Sequence, residues 1–254
     1  MTKGQGHMFQ VLRVFKSLCE EQGLTYYLMG GSLIGAVRHQ GFIPWDDDID
    51  VSMPLEDFLK VQELEELLPE GIVFHSERTD PGYPVIFVRL CDTAHPLKTK
   101  NKEKPKGAYI DIFPLMPSRP LNGRTKFFFS VINVINYVLQ VKLKWLPFIP
   151  YKQRIARIGF SVLRTLPCKW LRALRRWLIV QLYDRDGQTT ICSPGGAYKA
   201  DKEFYPARWF ETSETVSFEG ENFSAPGGWD AYLRRNYGDY MELPPEEERI
   251  PRHG

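Results

Sequence analysis

The sequence predicts an α+β fold: a mixed-sheet core flanked by helices, interrupted by a basic helical insertion. Three observations carry this. Residues 5–22 repeat apolar side chains at three- and four-residue steps, as an amphipathic helix does. Four short apolar segments, 24–29, 48–53, 84–91 and 107–113, have strand length and composition and are separated by turn residues. Between Arg124 and Tyr183 lie twelve of the 33 Lys and Arg residues and none of the 31 Asp and Glu. The expected organisation is a catalytic core over 1–123, a basic helical insertion over 124–186, and a segment 187–254 that completes the core and the substrate site.

In chain order, Met8, Val11, Leu12, Phe15, Leu18 and Cys19 form the buried stripe of the first helix, and Gly23 stops it. Segment 24–29 reads as a buried, tyrosine-rich strand broken by Gly30 and Gly31, with Ser32 placed to cap a short helix to about residue 37. After a loop over 41–45, residues 48–53 read as a strand with Ile49 and Val51 on one face and Asp48 and Asp50 on the other. Pro54 fits the first turn of a helix reaching residue 68. Segment 98–106 is a basic, polar linker, and the helices of 124–183 break at Pro147, Pro150 and Pro167. A hairpin over 215–224 and a short helix over 229–236 follow.

The richest stretch for chemistry is 46–50, with carboxylates at Asp46, Asp47, Asp48 and Asp50. Crowding them is costly unless a cation neutralises them, and hard oxygen ligands suit Mg²⁺ or Mn²⁺. Asp48 and Asp50 share a strand face and can grip one cation, with Asp46 joining from the loop. Asp47 alternates away and suits a salt bridge or cap. Asp111, a lone acid in an apolar strand, is the best third anchor, with a bond to backbone amides as the alternative. A solvated acidic turn is disfavoured because Trp45, Ile49 and Val51 mark the segment as core. Gly30, Gly31 and Ser32 sit at a strand-to-helix turn of the kind that holds phosphate. Arg38 and His39 could pair with phosphate oxygens or simply form a surface helix end.

Other classes are excluded or weakened. Cys19, Cys91, Cys168 and Cys192 are far apart and form no C-x-x-C pair, so a zinc or disulfide framework is not expected and a reducing cytosol fits. The N-terminus has no signal-peptide pattern. The longest apolar run, 127–139, is shorter than the roughly 20 residues a bilayer span needs. In 169–183, Trp170, Leu171, Leu174, Trp177, Leu178 and Val180 oppose Arg172, Arg175 and Arg176, which fits a helix lying on an anionic membrane face. A packed helical subdomain with solvent-facing arginines is the alternative. No nucleic-acid motif accompanies the charge.

Glycine-serine, a short helix, Asp-apolar-Asp on a strand and a third Asp on a later strand resemble the nucleotidyltransferase-fold pattern. The run from Tyr27 to Val51, then Asp111-Ile-Phe-Pro, Phe218-Glu-Gly and Tyr237-Gly-Asp-Tyr-Met-Glu-Leu-Pro-Pro with a terminal His253, resembles one branch of it, the LicD family, which includes the fukutin-related proteins. The 15 residues between Ser32 and Asp48 suit that branch better than a plain nucleotide-adding enzyme. The resemblance implies a nucleotidyltransferase-like core and a cholinephosphotransferase-like enzyme. Such an enzyme moves phosphocholine or a similar group from a CDP-linked donor to a sugar hydroxyl of a glycan acceptor, in a lipid-linked, teichoic acid or lipopolysaccharide precursor. It implies Asp48, Asp50 and Asp111 as metal ligands, Mg²⁺ or Mn²⁺ as cofactor, and Asp239 and His253 near substrate, with a structural role for both as the alternative. The cysteine pattern and the basic stretch 124–183 together lead us to expect a cytoplasmic enzyme, peripheral on the inner membrane face. The competing readings are a nucleotide-sugar glycosyltransferase with an Asp-x-Asp site and a catalytically inactive membrane scaffold. The first is disfavoured because only about 45 residues precede the acidic motif, the second because the aspartate set is intact.

Overall fold

The computed structural model describes residues 1–96, 107–146, 154–186, 189–196 and 198–250. The predicted linker 98–106, the breaks at Pro147 and Pro150, and His253 lie outside the described residues. Helix α1 (Lys3–Gln22) starts earlier than its apolar stripe, because Thr2 and Gln5 form a reciprocal capping box, and it ends on Gly23 at φ 64°. The predicted strand over 24–29 is reduced to β1 (Tyr27–Leu28), followed by α2 (Gly30–Ile34) and a π-helical turn, Gly35–His39.

Strand β2 (Asp50–Pro54) leads into α3 (Leu55–Val61). The predicted run to residue 68 stops early. Glu63, Glu65 and Glu66 sit where the negative end of a helix dipole disfavours anions, and only a 3₁₀ turn, Glu65–Leu67, follows. Strand β3 (Ile72–His75), unforeseen, precedes β4 (Val88–Pro96) and β5 (Gly107–Pro117). The basic stretch forms α4 (Gly123–Lys142), α5 (Arg154–Thr165) and α6 (Cys168–Leu182), with Pro167 at the break between the last two. Beyond it lie β6 (Thr190–Cys192), α7 (Ala200–Glu203), β7 (Phe204–Pro206), the predicted hairpin as β8 (Ser213–Phe218) and β9 (Glu221–Pro226), and α8 (Trp229–Tyr237).

Among the described residues, seven strands form a mixed sheet ordered β1-β2-β5-β4-β3, with β6 on the end of β5 and β7 on β6. The β2–β5 pair is parallel and its other pairs are antiparallel. One apolar core joins α1, the sheet, the β8–β9 hairpin and α8; a second joins α4 and α6 to Phe160, Cys192 and Phe204.

Arginines mark how the helical layer is attached to the sheet side. Arg175 is 1 % exposed. It donates to the Pro84 carbonyl (2.8 Å) and Asn136 Oδ1 (2.7 Å), and it pairs with Glu77. Arg172 and Arg176 reach the same carboxylate at 3.3 and 3.1 Å. The three arginines expected to face a membrane therefore converge on Glu77, because a buried guanidinium is tolerable only when paired. Arg175→Ala should cost about 3–5 kcal/mol in urea denaturation, and the exposed Arg176→Ala under about 1 kcal/mol. Equal losses would contradict this division.

Candidate active site

The acidic segment lies where the chain enters β2. Ile49 and Val51 are fully buried, and Asp48 and Asp50 alternate with them and face a cleft of about 1100 Å³, with Asp46 on the same wall. Asp48 precedes the strand rather than belonging to it. Because residues 46–49 are outside the ladder, strict alternation does not govern them. The oxygens of Asp46, Asp47 and Asp48 lie within 4.8 Å of one another, so Asp47, expected to turn away, joins the cluster.

Register sets the rest. Asp50 pairs with Asp111 across β2 and β5, Asp111 with Arg89 across β5 and β4, and Arg89 with His75 across β4 and β3. One row of four strands thus carries Asp50, Asp111, Arg89 and His75. Arg89 holds Asp111 bidentately, at 2.6 and 2.9 Å, with both side chains buried. The guanidinium stacks 4.0 Å from the Tyr109 ring and 5.4 Å from that of Trp145. The cation that Asp111 requires in this apolar strand is supplied by the protein itself. An ionised carboxylate has about four lone-pair sites, so the pair leaves Asp111 able to face a further cation.

Asp50 has no such partner at its own register position. Burial, then repulsion from Asp48, Asp111 and Asp46, pushes its carboxyl well above the usual range. Burial and the neighbouring Asp48 push Asp46 up to about 7. Four aspartates, 46, 48, 50 and 111, border one cleft in hard-oxygen surroundings, which fits a divalent cation.

The glycine-serine turn is built around these acids. Gly30 has φ +57°, and a Cβ there would lie 2.9 Å from Asp50 Oδ2. A Cβ on Gly31 would lie 2.8 Å from Asp46 Oδ2. Both glycines therefore admit carboxylates. Ser32 does not cap α2, whose cap residue is Met29; its hydroxyl accepts from the Asp50 amide at 2.9 Å. Arg38 donates to the Tyr240 and Glu242 carbonyls at 2.6 and 3.0 Å and lines the cleft. It thereby fastens the Tyr237-Gly-Asp-Tyr turn, and exposed Asp239 borders the same space. His39 meets Trp45 edge-on, and burial together with Arg38 lowers its pKa. Trp45 also lines the cleft.

Three residues went unnoticed in the sequence. Arg89 could have been found by the signal that flagged Asp111, a charge amid strand residues. Gln5 donates to the Ile43 and Asp46 carbonyls at 3.3 and 3.0 Å, holding the acidic loop from α1. Glu203, buried and lining the same cleft, accepts from the Tyr198 amide (2.9 Å) and the Tyr205 hydroxyl (3.2 Å), and burial raises its pKa to about 7. The Phe218-Glu-Gly motif is a turn: Glu219 (φ 51°) and Gly220 (φ 81°) join β8 to β9, and the Glu219 carboxylate accepts from the Phe42 amide at 3.0 Å.

The LicD/FKTN/FKRP nucleotidyltransferase domain matches residues 23–151, just over half of the chain and the whole of the acidic segment. The chain belongs to the LicD family. It is 29 % identical, over 96 % of its length and 92 % of the relative's, to lipopolysaccharide cholinephosphotransferase LicD of Haemophilus influenzae. It is 42 % identical over 55 residues to ribitol 5-phosphate transferase FKRP of Homo sapiens, covering 22 % of this chain and 11 % of that one. The stretch shared with an uncharacterised Rickettsia prowazekii protein is 32 % identical over 109 residues, 41 % of this chain and 37 % of that one.

The raised carboxyls give a pH signature. Unfolded, Asp46 and Asp50 titrate near 4; folded and metal-free, they hold protons to higher pH, Asp46 to about 7. Their contribution to stability therefore falls as pH rises from about 4 to 7, opposite to acid denaturation. The thermal midpoint gained on adding excess Mg²⁺ should be larger at about pH 8 than at about pH 5. An equal gain at both would refute the coupling. Gly31→Ala, which drives a methyl into Asp46, should abolish most of the gain at pH 8.

Proposed function

We propose that this LicD-family protein is a metal-dependent phosphotransferase that moves phosphocholine from a CDP-linked donor to a sugar hydroxyl of a cell-surface glycan precursor. The single observation that carries the reading is the convergence of Asp46, Asp48, Asp50 and Asp111 on one cleft, with two carboxyls raised by burial and by their neighbours' charge. The name of the relative that aligns over nearly the whole chain supports choline as the head group and lipopolysaccharide as the acceptor class.

Asp48 and Asp50, with Asp46 and Asp111 beside them, would hold Mg²⁺ or Mn²⁺. A bound divalent cation supplies charge neutralisation on the pyrophosphate and stabilises the departing nucleoside monophosphate. The chain's own groups do the remainder. Ser32 fixes the Asp50 backbone, and Gly30 and Gly31 keep the turn close to the carboxylates. Arg89 holds Asp111 in place with two hydrogen bonds. Asp46, at the loop end of the cluster, is freer to take the proton of the attacking hydroxyl than Asp111, both of whose oxygens are engaged by a guanidinium.

A cationic head group has a counterpart in the same cleft. Tyr198, Tyr205, Tyr232 and Tyr237 line the cleft beside Glu203, and aromatic faces with a carboxylate attract quaternary ammonium. Ribitol or glycerol head groups carry no such charge.

The test is a panel of CDP-linked donors with Mg²⁺ and membrane extract, read as CMP release. CDP-choline should release CMP, and Asp48→Asn or Asp50→Asn should reduce the rate by about 10²-fold or more. UDP released from a UDP-sugar instead would favour a glycosyltransferase. Glu203→Gln should raise the KM for CDP-choline about tenfold and leave that for CDP-ribitol unchanged. A parallel rise for both would remove the head-group assignment.

A further inference from the structure

Helix α6 presents two faces of different character. Leu171, Arg175, Leu178 and Leu182 are buried against the molecule. The outward face carries Trp170 (63 % exposed), Leu174 (36 %), Trp177 (54 %) and Val180 (63 %), spaced as one helical stripe. The stripe continues onto α4. Trp177 meets Phe128 edge-on at 6.2 Å, and Phe128 adjoins Phe127, itself 63 % exposed. Soluble proteins rarely leave so much contiguous aromatic surface to water. Arg124 and Lys169 are exposed around it, Arg176 is exposed but paired with Glu77, and the sequence from 124 to 183 contains no carboxylate side chain.

We infer that this face docks on the interfacial region of an anionic bilayer, with Trp170, Trp177 and Phe127 entering the headgroup layer and Arg124 and Lys169 at the lipid phosphates. Charge decides the occupant. A second copy of this chain across a two-fold axis would press the same cations against one another. An anionic lipid surface accepts both the apolar stripe and the cations. Tryptophan is the side chain best suited to the headgroup level, being apolar in body with one polar N–H. Among the described residues no helix is long and apolar enough to cross a membrane, so α6 lies flat. The docking differs from the amphipathic scheme read in the sequence: Arg172 and Arg175 point inward to Glu77 and the Tyr83 and Pro84 carbonyls, and the apolar stripe is the outer face.

The arrangement serves the proposed reaction, on whose reading its purpose rests. The inner face of α6 reaches Asn136 through Arg175, and Asn136 lines the cleft. A lipid-linked acceptor in the docked bilayer would thus lie one helix layer from the carboxylates.

The experiment is co-sedimentation of the full chain with vesicles of phosphatidylcholine alone or mixed with phosphatidylglycerol, without donor. Binding is expected to the mixed vesicles and to fall about tenfold or more in Trp170→Glu/Trp177→Glu, while Trp170→Leu/Trp177→Leu retains most of it. Brominated lipid should quench wild-type tryptophan fluorescence, a readout needing no variant. No preference of the wild type for anionic vesicles, or no quenching, would overturn the inference. So would a lipid-free dimer, seen by analytical ultracentrifugation, that the Glu pair dissociates. CMP release to a soluble acceptor should be unchanged in the Glu pair. Loss of that release in the wild type would count against the phosphotransferase reading and leave the vesicle result standing.

Discussion

Negative charge gathered at the open end of one parallel strand pair is the constraint on which the rest of this molecule depends. Asp50 and Asp111 are register partners on β2 and β5, and Asp46 and Asp48 arrive beside them from the preceding loop. Arg89 compensates one of the four. The remainder of the architecture holds the others close in spite of their repulsion. Gln5 ties the loop from α1, Ser32 fixes the Asp50 amide, Glu219 ties the Phe42 amide, and two glycines give the oxygens room. A fold that spends so many contacts on keeping carboxylates together is organised for a cation.

The ring of support also explains why family-specific motifs scattered along the chain meet. The two positive-φ residues of Phe218-Glu-Gly make a hairpin turn whose glutamate clamps the loop before the acids. Tyr237-Gly-Asp-Tyr is held by Arg38, and Gly238 (φ 70°) turns the chain back over the cleft. Residues far apart in sequence act as one device because each restrains the same short segment.

Much of this was legible in the sequence where local physics decides. The apolar stripe of α1, the alternation of Ile49 and Val51 with aspartates, the lone Asp111 and the β8–β9 hairpin all came from periodicity and turn chemistry. What escaped depended on tertiary pairing. Strands β3, β6 and β7 are too short to carry a pattern and exist because β4, β5 and β6 offer edges. Ser32 looked like a cap, since only the fold brings the Asp50 amide to it. Arg175 looked like a surface charge, since Glu77 lies far away in sequence. Glu203 had no local signal at all; its significance comes from the tyrosines that surround it.

The most direct test of the cation-centred account is a crystal structure with Mn²⁺ and a CDP-linked donor, located by anomalous scattering. The account predicts a peak about 2 Å from oxygens of both Asp48 and Asp50 and in contact with the donor's pyrophosphate. A donor bound in the cleft with no peak between those two side chains would contradict it.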